Sequence, residues 1–167
     1  MKNSTQTEMN LLQAFAGESQ ANRKYLAFAK RAEEEGHCQV AKLFRAVAEA
    51  ETVHALSHIR TLGEIGTTLE NLKAAIAGET YEYSEMYPPM IQKAEEEDNP
   101  AAKRSFSYAN AVEVKHASLY SEAIEKMGSL EETDYYVCSV CGYTCSAEAP
   151  EVCPVCGSGA KAFSVVG

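Results

Sequence analysis

The sequence predicts an all-α four-helix bundle followed by a small, metal-stapled domain of strands and knuckles. Three observations carry this. Apolar residues recur by threes and fours through most of residues 5–128. Carboxylates and histidines interrupt those apolar rows at corresponding places. After Glu132 the helical period stops and Cys, Gly, Pro and Val take over.

Composition narrows the classes. At 167 residues the chain is long enough for one real core and a small appendix. A formal charge of −9 argues against nucleic acid and anionic membrane as partners, and leaves room for bound cations. No stretch is apolar enough to span a membrane, and the start MKNSTQTEMN lacks the apolar core of a signal peptide, so a soluble, cytoplasmic protein is expected. Six cysteines in such a setting suggest metal rather than disulfides.

The first helix carries Leu11, Phe15, Glu18, Asn22, Tyr25, Ala29 and Ala32 on one stripe and ends near Gly36. The second is expected from Gln39 to Ile65, closing at Gly66, with Val40, Phe44, Val47, Glu51, His54 and His58 in one row. A short helix follows, with Thr68 as its N-cap and Gly78 as a break. The third long helix covers about 79–97, and Pro88-Pro89 should bend or bulge it. Asn99-Pro100 opens the fourth, whose row runs Ala102, Phe106, Ala109, Glu113, His116, Tyr120, Ala123 and Met127 before Gly128. Short links within each half and a longer one between them suit a bundle with one crossover. The bundle is assigned to residues 1–130 and the small domain to 135–167, which is too short to fold without a staple.

Each long helix places a carboxylate in its inward row: Glu18, Glu51 with His54 (ETVH), Glu82 with Glu85 (EYSE), and Glu113 with His116 (EVKH). Residues three apart lie about 60° apart around a helix axis and about 4.5 Å along it, so both side chains reach one ion or two adjacent ions. A lone-Glu helix followed by a Glu-x-x-His helix occurs twice, like a duplicated hairpin. A buried Glu is costly unless paired, and two divalent cations would supply the pairing. This is the donor set of di-iron and di-manganese carboxylate bundles. One Glu-x-x-His in a Glu-rich chain means little, and Glu33, Glu34, Glu35, Glu95, Glu96 and Glu97 read as solvated helix ends. Two such motifs on separate inward rows, with further Glu on the other helices, carry the metal reading. Glu85 is expected as an extra ligand that exchanges with His54 when the redox state changes. His58, Tyr25 and Tyr120 are expected to pack or hydrogen-bond rather than ligate, and His37 to be structural.

The tail, YVCSVCGYTCSAEAPEVCPVCG, holds Cys138-x-x-Cys141 and Cys153-x-x-Cys156, each followed by Gly. Paired knuckles of this kind are a strong four-thiolate signal. Cys145 falls outside the pairs, and Cys38 is an isolated thiol. The spacing admits a structural zinc ribbon or a mononuclear iron centre. Beside a redox-capable bundle, iron is the better match, because it can deliver electrons.

The segments AFAGESQANRKY, AEAETVHA, GETYEYSEMYP and VCGY…CPVCG resemble the rubrerythrin family, in its order and over nearly the whole chain. The resemblance implies a ferritin-like di-iron bundle and a rubredoxin-like domain. It implies Glu18, Glu51, His54, Glu82, Glu85, Glu113 and His116 as di-iron ligands, with Glu51 and Glu113 bridging, and Cys138, Cys141, Cys153 and Cys156 around one iron. It implies a non-haem peroxidase acting in oxidative-stress defence. Hydrogen peroxide would be reduced to water with electrons relayed through the thiolate iron. A rubredoxin, or a flavoprotein using reduced nicotinamide nucleotide, would supply them. It also implies a homodimer or higher homo-oligomer, with helices exchanged between chains in some members. The competing expectations are a ferritin-like oxidase that reduces dioxygen, and a non-catalytic zinc or iron structural protein.

Overall fold

Thr5 caps the first helix with its hydroxyl on the Glu8 amide while the Glu8 carboxylate returns to the Thr5 amide, the reciprocal box that starts α1 (Gln6–Glu34). The computed structural model describes residues 5–166. The chain forms two compact units, residues 1–66 and 67–167. Among the described residues no helix is long and apolar enough to cross a membrane.

In the first unit α1 pairs with α2 (Cys38–Leu62). The seam between them is built from alanine rather than from the large apolar residues of the row. Ala41, Ala48 and Ala55, a heptad apart, are buried on α2, and Ala29 and Ala32 on α1. Small side chains let the backbones approach. Asn22, 8% exposed, uses that proximity to donate from Nδ2 to the Ala48 carbonyl at 2.7 Å and to Thr52 Oγ1 at 2.8 Å. Tyr25, Phe28 and Phe44 stack beside the seam, and Glu33 pairs with Arg45 across it. Helix α2 ends at Gly63, not Gly66, because Gly63 takes the left-handed conformation (φ 75°) that closes a helix.

In the second unit α3 (Thr68–Tyr81) is capped by Thr67, one residue earlier than expected, through a second reciprocal box with Glu70. Gly78 does not break it: α3, a π-helical turn (Glu82–Met86) and α4 (Tyr87–Glu96) form one rod. The expected distortion is that π turn, just before Pro88 and Pro89. The Tyr87 amide bonds to the Glu82 carbonyl, five residues back. The extra residue relieves carbonyls that the proline rings would otherwise strike. Helix α5 (Pro100–Glu125) starts at Pro100, with the Asn99 side chain capping the Ala102 amide at 3.0 Å. It packs along both α3 and α4.

Among the described residues four helical rods are therefore present, in the expected order. A three-stranded antiparallel sheet follows: β1 (Tyr135–Cys138), β2 (Thr144–Ser146) and β3 (Phe163–Val166), in the order β2-β1-β3. Val137 pairs with Thr144 and with Ser164. The expected boundary at 130–135 falls inside the second unit, where β2 rests on α5.

Candidate metal centres

In the first unit α1 contributes Glu18 and α2 contributes Glu51 and His54, with one donor atom from each within 4.8 Å of the others. His54 Nδ1 lies 2.8 Å from Glu51 Oε2. Glu51 is the more buried partner, at 15% side-chain exposure against 56% for His54. His58, half-buried on the same row, joins neither this nor any other cluster found among the described residues.

The second unit holds a matching triad, Glu79, Glu113 and His116, again with donor atoms within 4.8 Å. His116 Nδ1 stands 2.7 Å from Glu113 Oε2 and 4.0 Å from Glu79 Oε1. Burial lifts the Glu79 carboxyl above the ordinary carboxylate range, helped by a hydrogen bond with Glu113 and by that group's charge, while His116 pulls the other way. Glu82 is lifted too, first by burial and then by the charge of Glu79. The Tyr87 phenol is raised by burial, then by Glu82, Glu113 and Glu79, which places Tyr87 in the field of the cluster. Negative charge is thus in excess here. An imidazole nitrogen at 2.7 Å from a carboxylate oxygen needs a proton or a cation to offset the facing lone pairs.

The expected residues Glu18, Glu51, His54, Glu113 and His116 are therefore grouped, in two triads. Glu79, absent from the expected set, holds the position anticipated for Glu82. Glu82 stands one helical turn further on, within reach of the charges of Glu79 and His116. Glu85 is exposed and enters neither triad, because the π turn that follows Tyr81 carries it past the cluster. A signal for Glu79 was present. Thirty-three residues separate Glu18 from Glu51 and thirty-four separate Glu79 from Glu113, against thirty-one from Glu82, so the internal echo favours Glu79. Tyr25 packs in the aromatic group of the α1–α2 hairpin, and Tyr120 is partly exposed.

The cysteine site is assembled by two knuckles of one design. The Gly142 amide bonds to the Cys138 carbonyl at 2.8 Å, and the Gly157 amide to the Cys153 carbonyl at 3.0 Å. Both glycines need positive φ, at 84° and 76°. The Cys138 amide returns to the Tyr143 carbonyl and the Cys153 amide to the Ser158 carbonyl, at 2.9 and 2.7 Å. All four sulfurs of Cys138, Cys141, Cys153 and Cys156 lie within 4.8 Å of one another. Hydrogen bonds from the Ser158 hydroxyl and then its backbone amide pull Cys156 down to about 6, toward thiolate, whereas burial pushes Cys141 up. Cys145, on β2, faces the Glu148 and Tyr136 carbonyls and stays outside the four. Cys38 is exposed at the start of α2.

These donors fit metal chemistry: hard carboxylates with imidazole in the helical units, soft thiolates in the tail. A bridge joins the two kinds of site in the second unit. His116 Nε2 lies 3.1 Å from Thr144 Oγ1, just after the first knuckle.

The family model for rubrerythrin matches residues 9–124, and that for the rubrerythrin rubredoxin-like domain matches residues 136–164. Nigerythrin of Nitratidesulfovibrio vulgaris is 37% identical over 161 residues, covering 88% of this chain and 80% of that protein. Rubrerythrin of Porphyromonas gingivalis is 37% identical over 171 aligned positions, covering 91% of this chain and 86% of that one. The structure of nigerythrin in its fully reduced, all-ferrous state shares the fold with a TM-score of 0.60 at 35% identity, covering 99% of this chain and 89% of that chain. The chain belongs to the rubrerythrin family.

Proposed function

We propose that this protein is a non-haem peroxidase, an oxidoreductase that reduces hydrogen peroxide to water with two electrons and two protons. A pair of iron ions in the carboxylate–imidazole clusters would supply the electrons that split the O–O bond, and one iron in the four thiolates would restore them. The observation that carries this reading is the contact between His116 and Thr144. A thiolate site placed against a carboxylate–imidazole cluster is the arrangement an electron relay needs, and an oxidase that only stores iron does not.

In this reading Glu18, Glu51 and His54 of the first unit and Glu79, Glu113 and His116 of the second would supply the ligands of the iron pair. Glu51 and Glu113 are the bridging pair in this reading. Glu82 takes the part that sequence spacing gave to Glu85, including exchange with His54. Glu79 would complete the ligand set of the second unit, its raised carboxyl marking an excess of negative charge that a cation would pair. The functional division remains residues 1–130 for the bundle and 135–167 for the electron-carrying domain.

Both units leave large apolar side chains unburied. Leu43 and Val53 are 61% and 62% exposed in the first, and Tyr81 and Val114 are 54% and 51% exposed in the second. Surfaces of this kind suit a homodimer or higher homo-oligomer, helix-exchanged or not. A rubredoxin or a flavoprotein fed by reduced nicotinamide nucleotide would refill the thiolate iron. Four cysteines committed to a thiolate site suit a reducing, cytoplasmic setting.

The test is anaerobic reduction followed by rapid mixing with hydrogen peroxide or with air. Peroxide should reoxidise the carboxylate-bound iron much faster than air. Equal rates would favour a ferritin-like oxidase, and zinc in the tail with no turnover would favour a structural protein.

A further inference from the structure

Thr144 has a single hydroxyl proton, and its Oγ1 donates it to the Gly142 carbonyl at 3.0 Å. Toward His116 Nε2, at 3.1 Å, the same oxygen can then only accept. Nε2 then carries the hydrogen of that contact, and the 2.7 Å approach of Nδ1 to Glu113 Oε2 needs a second proton or a cation; with a cation, Nδ1 is the bare nitrogen. That nitrogen faces Glu113 Oε2 at 2.7 Å and Glu79 Oε1 at 4.0 Å, the direction from which a shared cation would be bound.

We propose that Thr144 is a positioning residue for His116: its hydroxyl selects the Nε2–H tautomer, presents Nδ1 to the Glu79–Glu113 carboxylates, and so makes cation binding there depend on the first cysteine knuckle. The inference rests on the reading of that triad as a metal site. A ligand histidine whose far nitrogen is held loses little freedom on binding and keeps the correct nitrogen bare.

The knuckle holds Thr144 firmly. Gly142, which receives the hydroxyl proton, is also tied to Cys138 through its amide at 2.8 Å, and Tyr143 through its carbonyl at 2.9 Å. Thr144 opens β2 opposite Val137, the residue before Cys138. On the other side, Val112 of α5, 2% exposed, packs 3.9 Å from where a Gly142 Cβ would stand. The hydroxyl therefore sits on a short path from the first knuckle to His116: the Gly142 amide bonds to the Cys138 carbonyl, and Thr144 Oγ1 links the Gly142 carbonyl to His116 Nε2. Valine at this place keeps the branched shape that suits the strand and removes the hydroxyl, both its acceptance from His116 and its donation to the Gly142 carbonyl.

Cobalt(II) provides the test, on full-length protein with the cysteine site filled. Two quantities are read: the cobalt affinity of the His116-dependent site, identified by its loss in His116→Ala, and the solvent-exchangeable, paramagnetically shifted N–H proton of the bound imidazole. Thr144→Val should weaken cobalt binding about tenfold or more and speed exchange of that proton. Thr144→Ser should restore both. The thiolate-to-cobalt band of the cysteine site checks that the knuckle is intact; if Thr144→Val loses it, Thr144→Ala is read instead. His116-dependent binding with wild-type affinity and exchange in the hydroxyl-free variant overturns the role of Thr144. No His116-dependent cobalt at all overturns the metal reading of the triad, and the inference with it.

Discussion

Glu79 Oε1 and His116 Nδ1 stand 4.0 Å apart, with Glu113 Oε2 at 2.7 Å from the same nitrogen. This relationship moves the third helix's carboxylate from the expected Glu82 to Glu79. Glu79→Gln should therefore weaken iron binding at the carboxylate site by at least tenfold, since removing even a supporting partner costs about that much. Glu85→Gln should leave it unchanged. Iron content after buffer exchange, with thiolate iron measured separately by its visible absorption, checks both.

The raised Glu79 carboxyl has a consequence for stability without metal. A carboxyl whose folded pKa lies above its unfolded value of 4.5 binds more protons when folded, so stability falls as pH rises through the window above 4.5. Metal-free protein should melt at a higher temperature near pH 5 than near pH 7. Glu79→Gln should flatten that slope, and a metal that pairs the carboxylate should do the same. Melting curves across pH with and without chelator give the comparison.

The α1–α2 seam predicts its own weak points. Asn22 is buried and donates to both the Ala48 carbonyl and Thr52 Oγ1. Asn22→Ala should cost about 1–3 kcal/mol, because it removes these bonds where water enters poorly. Ala48→Leu should cost a similar amount by overpacking a seam only a methyl group wide. Denaturant midpoints of the full-length protein read both effects.

How much of this was legible depends on which physical signal each feature leaves in the sequence. The cysteine knuckles were readable because the Cys-x-x-Cys-Gly spacing itself encodes the turn, and Gly142 and Gly157 adopt it. The four rods were readable from apolar periodicity. The alanine seam was not, since Ala is apolar enough to sit on any face and only helix proximity selects Ala41, Ala48 and Ala55. Glu79 was obscured by GETYEYSE, where carboxylates three apart repeat and each spacing looks alike. Reading Gly78 as a break set Glu79 at a helix end, whereas the Thr67–Glu70 box starts the helix early enough to carry it inward. The π turn, which determines where Glu85 goes, follows from proline sterics but has no unique register in the sequence.

Cysteine substitutions should separate the four thiolates from the bystander. Cys138→Ser and Cys153→Ser remove buried ligands and should abolish the red colour of thiolate-bound iron. Cys145→Ser should retain it, because that sulfur faces only carbonyls. Visible spectra of the anaerobically purified variants are sufficient.

The central claim, that carboxylates and imidazoles of both units hold a pair of iron ions, is tested most directly by Mössbauer spectroscopy of the iron-57-loaded, anaerobically reduced protein. The account predicts two ferrous sites with oxygen and nitrogen ligands for each ferrous thiolate site, both lost together in Glu51→Ala and in Glu113→Ala. Thiolate iron alone, or an oxygen-ligated signal that survives both substitutions, would contradict it.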